Sequence, residues 1–208
     1  MSVSHIRLLA ACLALCAGCA PDKAEPLPPG AAVLVLGDSL SAGYGLTPAQ
    51  AWPAHLAERT GWRVINGGVS GDKSRDALAR LPALLDAHAP RLVLVELGGN
   101  DMLHRLPEAQ TRADLARILD QIRAHGSLAV LLATPRPSLA GAVFQSLSAA
   151  PFYAELAKEA RVPLIEDAVA RVLSDPALKL DALHPNADGQ ALLAGMVQQD
   201  LRRLGFAR

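Results

Sequence analysis

Three residues, one in the first quarter of the chain and two near its other end, carry side chains that together can perform nucleophilic acyl transfer. Ser39 lies in the stretch GDSLSAG, directly after the apolar run of residues 31–36, and Asp181 and His184 lie in LDALHPN near the other end. A serine attacks a carbonyl only when a base takes its proton and a second group orients that base. A three-residue spacing in a helical turn places Asp181 and His184 on one face, where the carboxylate bonds one imidazole nitrogen and the other faces Ser39. We therefore predict a catalytic triad.

Two glycine-rich segments between these positions supply candidate donors for the oxyanion that such an attack creates. Gly71 in GGVSGDKS lacks a side chain and can bring its backbone N–H close to a substrate, and Asn100 in GGND can donate from its amide. The backbone N–H of Ser39 is the third predicted donor. Each motif alone is weak evidence, because an Asp-x-x-His pair is more often a surface or capping arrangement. Their joint occurrence after successive apolar runs is much stronger evidence.

Short apolar runs precede these loops and predict the sheet that positions them. They are rich in valine, leucine and isoleucine, as strands buried on both faces are. The runs cover residues 31–36, 63–66, 91–98, 128–134 and 162–166. They alternate with amphipathic segments, which implies right-handed βαβ units. We predict a three-layer α/β/α sandwich with a five-stranded parallel sheet, in which ligands bind beyond the carboxyl ends of the strands.

The amphipathic segments carry apolar residues at helical spacing. Two of them end at glycines, with Leu115, Ile118, Leu119 and Ile122 before Gly126, and Leu193, Met196, Val197, Leu201 and Leu204 before Gly205. A third segment, residues 74–87, contains Pro82, which predicts a kink or the start of a new helix there.

Four other residues have predicted structural roles. Trp52 is expected to be a core anchor for the first helix, with a substrate contact as the alternative. Asp38 and Asp101 are expected to hold their loops by accepting backbone hydrogen bonds. Glu96 lies inside an otherwise apolar strand, so it needs a hydrogen-bonding partner that the sequence does not identify.

The first 19 residues differ from the rest of the chain. His5 and Arg7 precede the apolar stretch LLAACLALCAG, which is too short to span a bilayer but suits the core of a signal peptide. We predict an export signal over residues 1–19, a proline-rich tether over residues 20–30 and a single domain over residues 31–208.

The stretch CAGC at the end of the signal resembles a bacterial lipobox. This predicts lipidation of Cys19 and hence a periplasmic protein anchored to the membrane, while cleavage near Ala20 without lipidation is the alternative. All three cysteines, Cys12, Cys16 and Cys19, lie in this stretch, so the domain is expected to rely on packing rather than on disulfides.

The charge balance argues against polyanionic partners. The 208 residues include 20 basic and 20 acidic side chains, so we predict no nucleic-acid binding and membrane contact only through the lipid anchor. GGVSGDKS superficially resembles a phosphate loop, but Asp72 replaces the glycine required before the lysine. A metal site at Asp38, Asp181 and His184 lacks a second histidine at ligand spacing. We therefore predict no metal and no cofactor, and nothing in the sequence requires more than a monomer.

The segments GDSLSAGYG, NGGVSGDKS, VLVELGGND and DALHPN resemble, in order, the four catalytic blocks of the GDSL or SGNH hydrolase family. The chain is most similar to the group of acyl-CoA thioesterase I, protease I and lysophospholipase L1, an arylesterase-like group whose first block often precedes a WPAHL-like segment. The resemblance implies a flavodoxin-like SGNH hydrolase fold. It assigns Ser39 as nucleophile, His184 as base and then acid, Asp181 as the residue that orients His184, and Gly71 and Asn100 as further oxyanion donors.

The reaction implied by this resemblance is hydrolysis of a carboxylic ester, with thioesters and lysophospholipids as related substrates. In the resembled group the loop after Asn100 borders the acyl-binding groove, so Met102, Leu103 and Leu106 are predicted to line it; core packing or plain exposure is the alternative. A carbohydrate O-acetylesterase is the main competing activity. A non-catalytic lipid-binding envelope lipoprotein is the other alternative, although such a protein has no need of a triad.

Overall fold

The five predicted strands form one parallel sheet. The computed structural model describes residues 25–137 and 145–208. Its strands are β1 (Ala32–Gly37), β2 (Arg63–Gly68), β3 (Leu92–Glu96), β4 (Leu128–Leu132) and β5 (Leu164–Ile165). They lie in the order β2-β1-β3-β4-β5, and every pair is parallel. The predicted fold class is confirmed.

Helices connect the strands. They are α1 (Ser39–Ala42), α2 (Trp52–Thr60), α3 (Ser74–His88), α4 (Gly99–Leu103), α5 (Glu108–Ala124), α6 (Phe152–Ala160), α7 (Ala168–Ser174) and α8 (Ala187–Arg203). Short 3₁₀ turns at Pro48–Gln50 and Pro176–Leu178 precede α2 and α8.

Both faces of the sheet are covered, because successive strand residues point to opposite sides. Val33 and Val35 pack with the apolar faces of α2, α7 and α8, and Trp52 is fully buried among them, as predicted. Leu34 and Leu36 pack on the other side with α3, α5 and α6. The result is the expected three-layer sandwich. The central strands β1 and β3 are continuous apolar runs because neither of their faces meets solvent, whereas the edge strand β2 is partly exposed.

Pro82 does not begin a new helix. Helix α3 runs as one element from Ser74 to His88, although proline cannot donate the hydrogen bond to the carbonyl four residues earlier. Pro82 is exposed, whereas Leu81 and Leu85 are buried. The interruption therefore lies on the solvated side, and the apolar face keeps its contact with the sheet.

The folded unit begins before the predicted boundary near Ala31. Leu27 is buried, its N–H donates to the Phe206 carbonyl at 2.8 Å, and Trp62 Nε1 donates to the Leu27 carbonyl at 3.4 Å. Residues 27–30 therefore pack against the amino-terminal edge of the sheet instead of belonging to a free tether.

The predicted export signal, its Cys19 and residues 20–24 of the predicted tether lie outside the described residues. Among the described helices, none has the length and apolar character needed to cross a membrane.

The strand order reverses direction at β1, and this creates a crevice. The chain passes from β1 to β2 at one side and then returns to β3 on the other side of β1. In open α/β sheets, the crevice beyond the carboxyl ends of strands at such a reversal is where ligands bind. Ser39 follows β1 and Asn100 follows β3, so both residues lie at this crevice.

The turn after β3 is fixed by a close approach between Gly98 and Tyr153. Gly98 has a φ of +110°, and a Cβ there would overlap the Tyr153 hydroxyl. That hydroxyl is buried, donates to the Leu97 carbonyl at 2.6 Å and lies 2.7 Å from Thr134 Oγ1. The turn that carries Asn100 is therefore tied to β4 and α6.

Replacing Gly98 with alanine is expected to destabilise the protein more than replacing Gly126. Gly126 also has a positive φ, +86°, but among residues 25–137 and 145–208 no atom lies within 4 Å of a Cβ placed there. Gly126→Ala should therefore cost only the ~1–2 kcal/mol of a left-handed L-residue. Gly98→Ala should cost more, because a hydrogen-bonded side chain must also move. Urea unfolding of both variants measures the difference, and equal losses of unfolding free energy would contradict this account.

Candidate active site

Ser39 is the first residue of α1, immediately beyond the carboxyl end of β1. The Asp38 side chain caps this short helix by accepting from the Leu40 N–H at 3.0 Å, and the Asp38 carbonyl accepts from the Ala42 N–H at 2.9 Å. Asp101 holds the neighbouring loop in the same way, by accepting from the Ser74 N–H at 2.9 Å. Both aspartates thus have the predicted loop-holding contacts.

The structure brings Ser39, His184 and Asp181 into one hydrogen-bonded chain. His184 Nε2 lies 3.0 Å from Ser39 Oγ, and His184 Nδ1 lies 2.8 Å from Asp181 Oδ2. The His184 side chain is 15% exposed and that of Asp181 is 45% exposed. The arrangement has the connectivity in which an imidazole can take a proton from serine while a carboxylate fixes its orientation.

The Asp181–His184 segment is a bent loop, so the helical turn expected here is wrong. Asp181 Oδ1 accepts from the backbone N–H groups of Leu183 at 2.7 Å and His184 at 2.8 Å. This side-chain turn brings the two residues together without a helix. The loop then enters α8, whose first turn is capped by Asn186 Oδ1 accepting from the Gly189 N–H at 2.9 Å.

These contacts also control the ionisation of Asp181. Its partial burial raises the pKa, but hydrogen bonds from the His184 side chain and from the backbone N–H groups of Leu183 and His184 outweigh that effect. The net result is a pKa below the ordinary value of 3.8. Asp181 is therefore a carboxylate at neutral pH, as an orienting group for an imidazole must be.

Gln190 joins the two ends of the site and was missed by sequence reasoning. Its side chain is buried in the first turn of α8, where it accepts from the Trp52 N–H at 2.8 Å and donates to the Leu40 carbonyl at 3.0 Å. It thereby ties the helix that follows His184 to the residue next to Ser39. Nothing local in the sequence distinguishes this glutamine from one on a solvated helix face.

Two of the three predicted oxyanion donors have no competing acceptor. Within the described residues, the backbone N–H groups of Ser39 and Gly71 donate to no acceptor, and both residues line the same cleft. Gly71 has a φ of +87°, and a Cβ there would meet no atom of the described residues within 4 Å. The backbone conformation, rather than crowding, therefore explains why this residue is a glycine.

The third predicted donor, Asn100, is differently placed. Its Nδ2 donates at 3.0 Å both to Asp38 Oδ2 and to the Asp72 carbonyl. The amide is thus held firmly at the cleft wall, with both of its hydrogens already donated. The sequence did not predict these two hydrogen bonds.

Two buried carboxyl groups lie beneath the nucleophile. Glu96 is fully buried, and its missing partner is Ser41, whose Oγ donates to Glu96 Oε2 at 2.7 Å. Burial, followed by the nearby charge of Asp38, raises the pKa of Glu96 well above its ordinary value. Burial likewise raises the pKa of Asp38 to about 6, against the opposing effects of the Leu40 N–H and His184.

Ser39 opens into a cleft of about 520 Å³. Apolar side chains supply most of its wall, and two cations border it. These residues are Leu40, Leu103, Leu147, Leu173 and Leu183, with Arg136 and Lys179.

Of the predicted substrate contacts, Leu103 alone lines the cleft that contains Ser39, within the part of the chain described here. Met102 and Leu106 line an adjacent cavity of about 470 Å³, which shares Leu103, Arg136 and Pro137 with the cleft. Met102 also packs against the core. Residues 138–144, which follow Pro137, lie outside the described residues. In the ranges that are described, no three His, Cys, Asp or Glu side chains converge as a metal site would require.

Comparison with known proteins identifies the family. The model of the GDSL-like lipase/acylhydrolase family matches residues 35–192, which include all the residues of the predicted triad. The chain belongs to the GDSL-like lipase/acylhydrolase family. The fold and the esterase class that the four sequence blocks predicted are thereby confirmed.

Several members of this GDSL-like family are similar over most of the chain. The thioesterase 1/protease 1/lysophospholipase L1 of Escherichia coli is 41% identical over 177 residues, covering 83% of this chain and 84% of that protein. The arylesterase of Vibrio mimicus is 36% identical over 202 residues, covering 94% of this chain and 98% of that protein. The crystal structure of TesA superposes with a TM-score of 0.75 at 34% identity, covering 83% of this chain and 99% of that chain.

Glu96→Gln is expected to change how stability depends on pH. Folded Glu96 keeps its proton at pH values where the unfolded chain, titrating near 4.5, has lost it. The folded state then binds more protons, so the free energy of unfolding falls as pH rises above about 4.5. Relative to Glu96→Gln, the wild type should lose up to ~1.4 kcal/mol of unfolding free energy per pH unit above about pH 4.5, until folded Glu96 itself ionises.

Urea unfolding at several pH values checks this, with Glu166→Gln, which removes an exposed carboxylate, as the control. Parallel pH profiles for wild type and Glu96→Gln would show that Glu96 ionises in the folded protein as freely as in the unfolded chain.

Proposed function

We propose that this protein is a serine esterase in which Ser39 is the nucleophile, His184 the base and Asp181 the group that orients His184. The observation that carries the proposal is the continuous hydrogen-bonded chain, 3.0 Å from Ser39 Oγ to His184 Nε2 and 2.8 Å from His184 Nδ1 to Asp181 Oδ2, at the wall of an apolar cleft. A protein that only binds lipid has no use for such a chain, so catalysis is favoured over the binding-protein alternative.

Acyl transfer follows directly from this geometry. Ser39 Oγ attacks the ester carbonyl carbon while its proton moves to His184 Nε2, and the imidazolium then gives that proton to the departing alcohol or thiol. The products of this half-reaction are the acyl-enzyme and the free leaving group. Water, which gives a proton to His184, then attacks the acyl-enzyme. The bond between the acyl carbon and Oγ breaks, the carboxylic acid is released, and His184 returns the proton to Ser39.

The backbone N–H groups of Ser39 and Gly71 and the Asn100 amide are the proposed donors to the oxyanion. The first two support the role by having no acceptor among the described residues. Asn100 already donates to Asp38 and to the Asp72 carbonyl. For Asn100 to act, one of these hydrogen bonds must be shared or released as negative charge develops on the substrate oxygen.

The cleft favours an ester with an apolar acyl chain. The wall is mostly apolar and includes five leucine side chains, and a sugar bearing a single acetyl group would leave that surface without a partner. Arg136 and Lys179 border the same cleft. Arg136 pairs with Glu108 at 3.1 Å, whereas Lys179 makes no ion pair within the described residues. A leaving group that carries phosphate, as in a lysophospholipid, meets favourable charge there. We therefore propose acyl esters, including lysophospholipids and thioesters, over carbohydrate acetates.

Export of the protein is also part of the proposal. Residues 1–19 have the composition of a signal peptide, and CAGC supports lipidation of Cys19. An anchored periplasmic monomer meets lipid and exogenous esters rather than cytosolic acyl-CoA.

Hydrolysis of a p-nitrophenyl ester series from acetate to palmitate tests the activity and the chain preference. Turnover should peak at medium or long acyl chains, and Ser39→Ala should lower kcat by at least ~10⁴-fold because no other group replaces the nucleophile. Ser70→Ala is the matched control, since Ser70 is an exposed serine that lines the same cleft. Turnover that survives in Ser39→Ala would overturn the mechanism, and strict acetate preference would favour the carbohydrate O-acetylesterase.

Asn100→Ala is expected to lower kcat by ~10²–10³-fold while KM changes little, because the lost hydrogen bond forms with the oxyanion of the transition state. Steady-state kinetics on the best ester of the series measures both constants. A change confined to KM would mean that Asn100 binds the substrate in its ground state instead.

A further inference from the structure

The ring of Tyr44 lies against the imidazole of His184. Their centroids are 4.4 Å apart and their planes differ by 28°. Tyr44 is 51% exposed beside the cleft, so core burial does not account for its position. The hydrogen bonds of His184 to Asp181 and Ser39 lie in the plane of the imidazole and leave it able to tilt about the line between them. A ring stacked on its face opposes that tilt.

The backbone of Tyr44 is fixed to the nucleophile. The N–H groups of Gly43 and Tyr44 both donate to the Ser39 carbonyl at 3.1 Å. Gly43 and Gly45 have φ values of +77° and +75°, so the turn that presents Tyr44 has a conformation that L-residues rarely adopt. The position of the ring is therefore set by the same element that carries Ser39 Oγ.

The same turn also touches the loop that carries the histidine. A Cβ on Gly45 would overlap Leu180 Cδ2, and Leu180 directly precedes Asp181 and donates its N–H to the His184 carbonyl at 2.8 Å. The Gly43–Gly45 turn thus contacts both parts of the triad, which otherwise belong to opposite ends of the chain.

We propose that Tyr44 is a positioning residue for His184, an inference that rests on the function proposed above. Its ring holds the imidazole in the plane that contains Ser39 Oγ and the Asp181 carboxylate. When the Ser39 proton moves to Nε2 and the bond from Oγ to the acyl carbon forms, the imidazole becomes a cation. An aromatic face within about 6 Å attracts such a cation, so Tyr44 favours the charged intermediate as well as the reactive orientation.

Two substitutions at Tyr44 test this role, because they separate the ring from its hydroxyl. Tyr44→Phe keeps the stacked ring and should retain kcat within about twofold. Tyr44→Leu keeps apolar bulk without the aromatic face and should lower kcat on the order of tenfold, with KM within about twofold. Leu192→Ala, which truncates an exposed leucine outside the cleft, controls for loss of an exposed apolar side chain. Thermal unfolding confirms that each variant is folded.

A second readout follows the imidazole itself. Proton NMR of the wild type and of Tyr44→Phe should show a low-field resonance from the His184 Nδ1–H that bonds Asp181, and Tyr44→Leu should broaden or abolish it. An effect on KM alone would make Tyr44 a substrate contact, and equal losses in the Phe and Leu variants would assign the effect to the hydroxyl. Either result, or an unchanged resonance and kcat in Tyr44→Leu, overturns the proposal.

These outcomes are distinguishable from a failure of the proposed function. If the wild type hydrolyses no ester in a Ser39-dependent manner, the esterase mechanism fails. The NMR comparison then still decides whether Tyr44 restrains His184.

Discussion

The hydrogen bond between Ser39 Oγ and His184 Nε2 joins residues 145 positions apart, and the rest of the site depends on it. An active site loses activity steeply when a reacting group moves by an ångström. The parallel sheet brings the segments that carry Ser39 and His184 to the same edge, but the loops after the strands still have to be positioned relative to each other. Gln190 fixes their relative position, because its buried side-chain amide bonds both to the Leu40 carbonyl and to the Trp52 N–H.

Polar groups beneath this edge give the site its electrostatic character. Glu96 and Asp38 are both buried, and the charge of Asp38 raises the pKa of Glu96 further. The protein tolerates Glu96 in a central strand because Ser41 donates to it, yet Glu96 Oε1 has no partner within the described residues. The buried carboxyl groups beneath the nucleophile therefore lower the stability of the folded protein to some extent.

The sequence predicted those features of the fold and the site that depend on a local pattern of residues. Apolar runs and helical spacing predicted the strands and layers because each element must bury its own apolar face, and four short blocks were specific enough to predict the family and the triad. Contacts across the fold were not predictable. The partner of Glu96 is 55 positions away and that of Gln190 is up to 150 positions away. The bent Asp181 loop was misread because a spacing of three fits a helical turn and a side-chain turn equally well.

The docking of Leu27 against Phe206 has a geometric consequence. The two ends of the folded unit meet at the amino-terminal edge of the sheet, whereas the cleft opens beyond the carboxyl ends of the strands. Attachment at either end, whether to a lipid, a fusion partner or a solid support, therefore leaves the cleft facing away from the point of attachment. The adjacent ends also suit circular permutation, in which a short linker joins them and new termini open in an exposed loop away from Ser39.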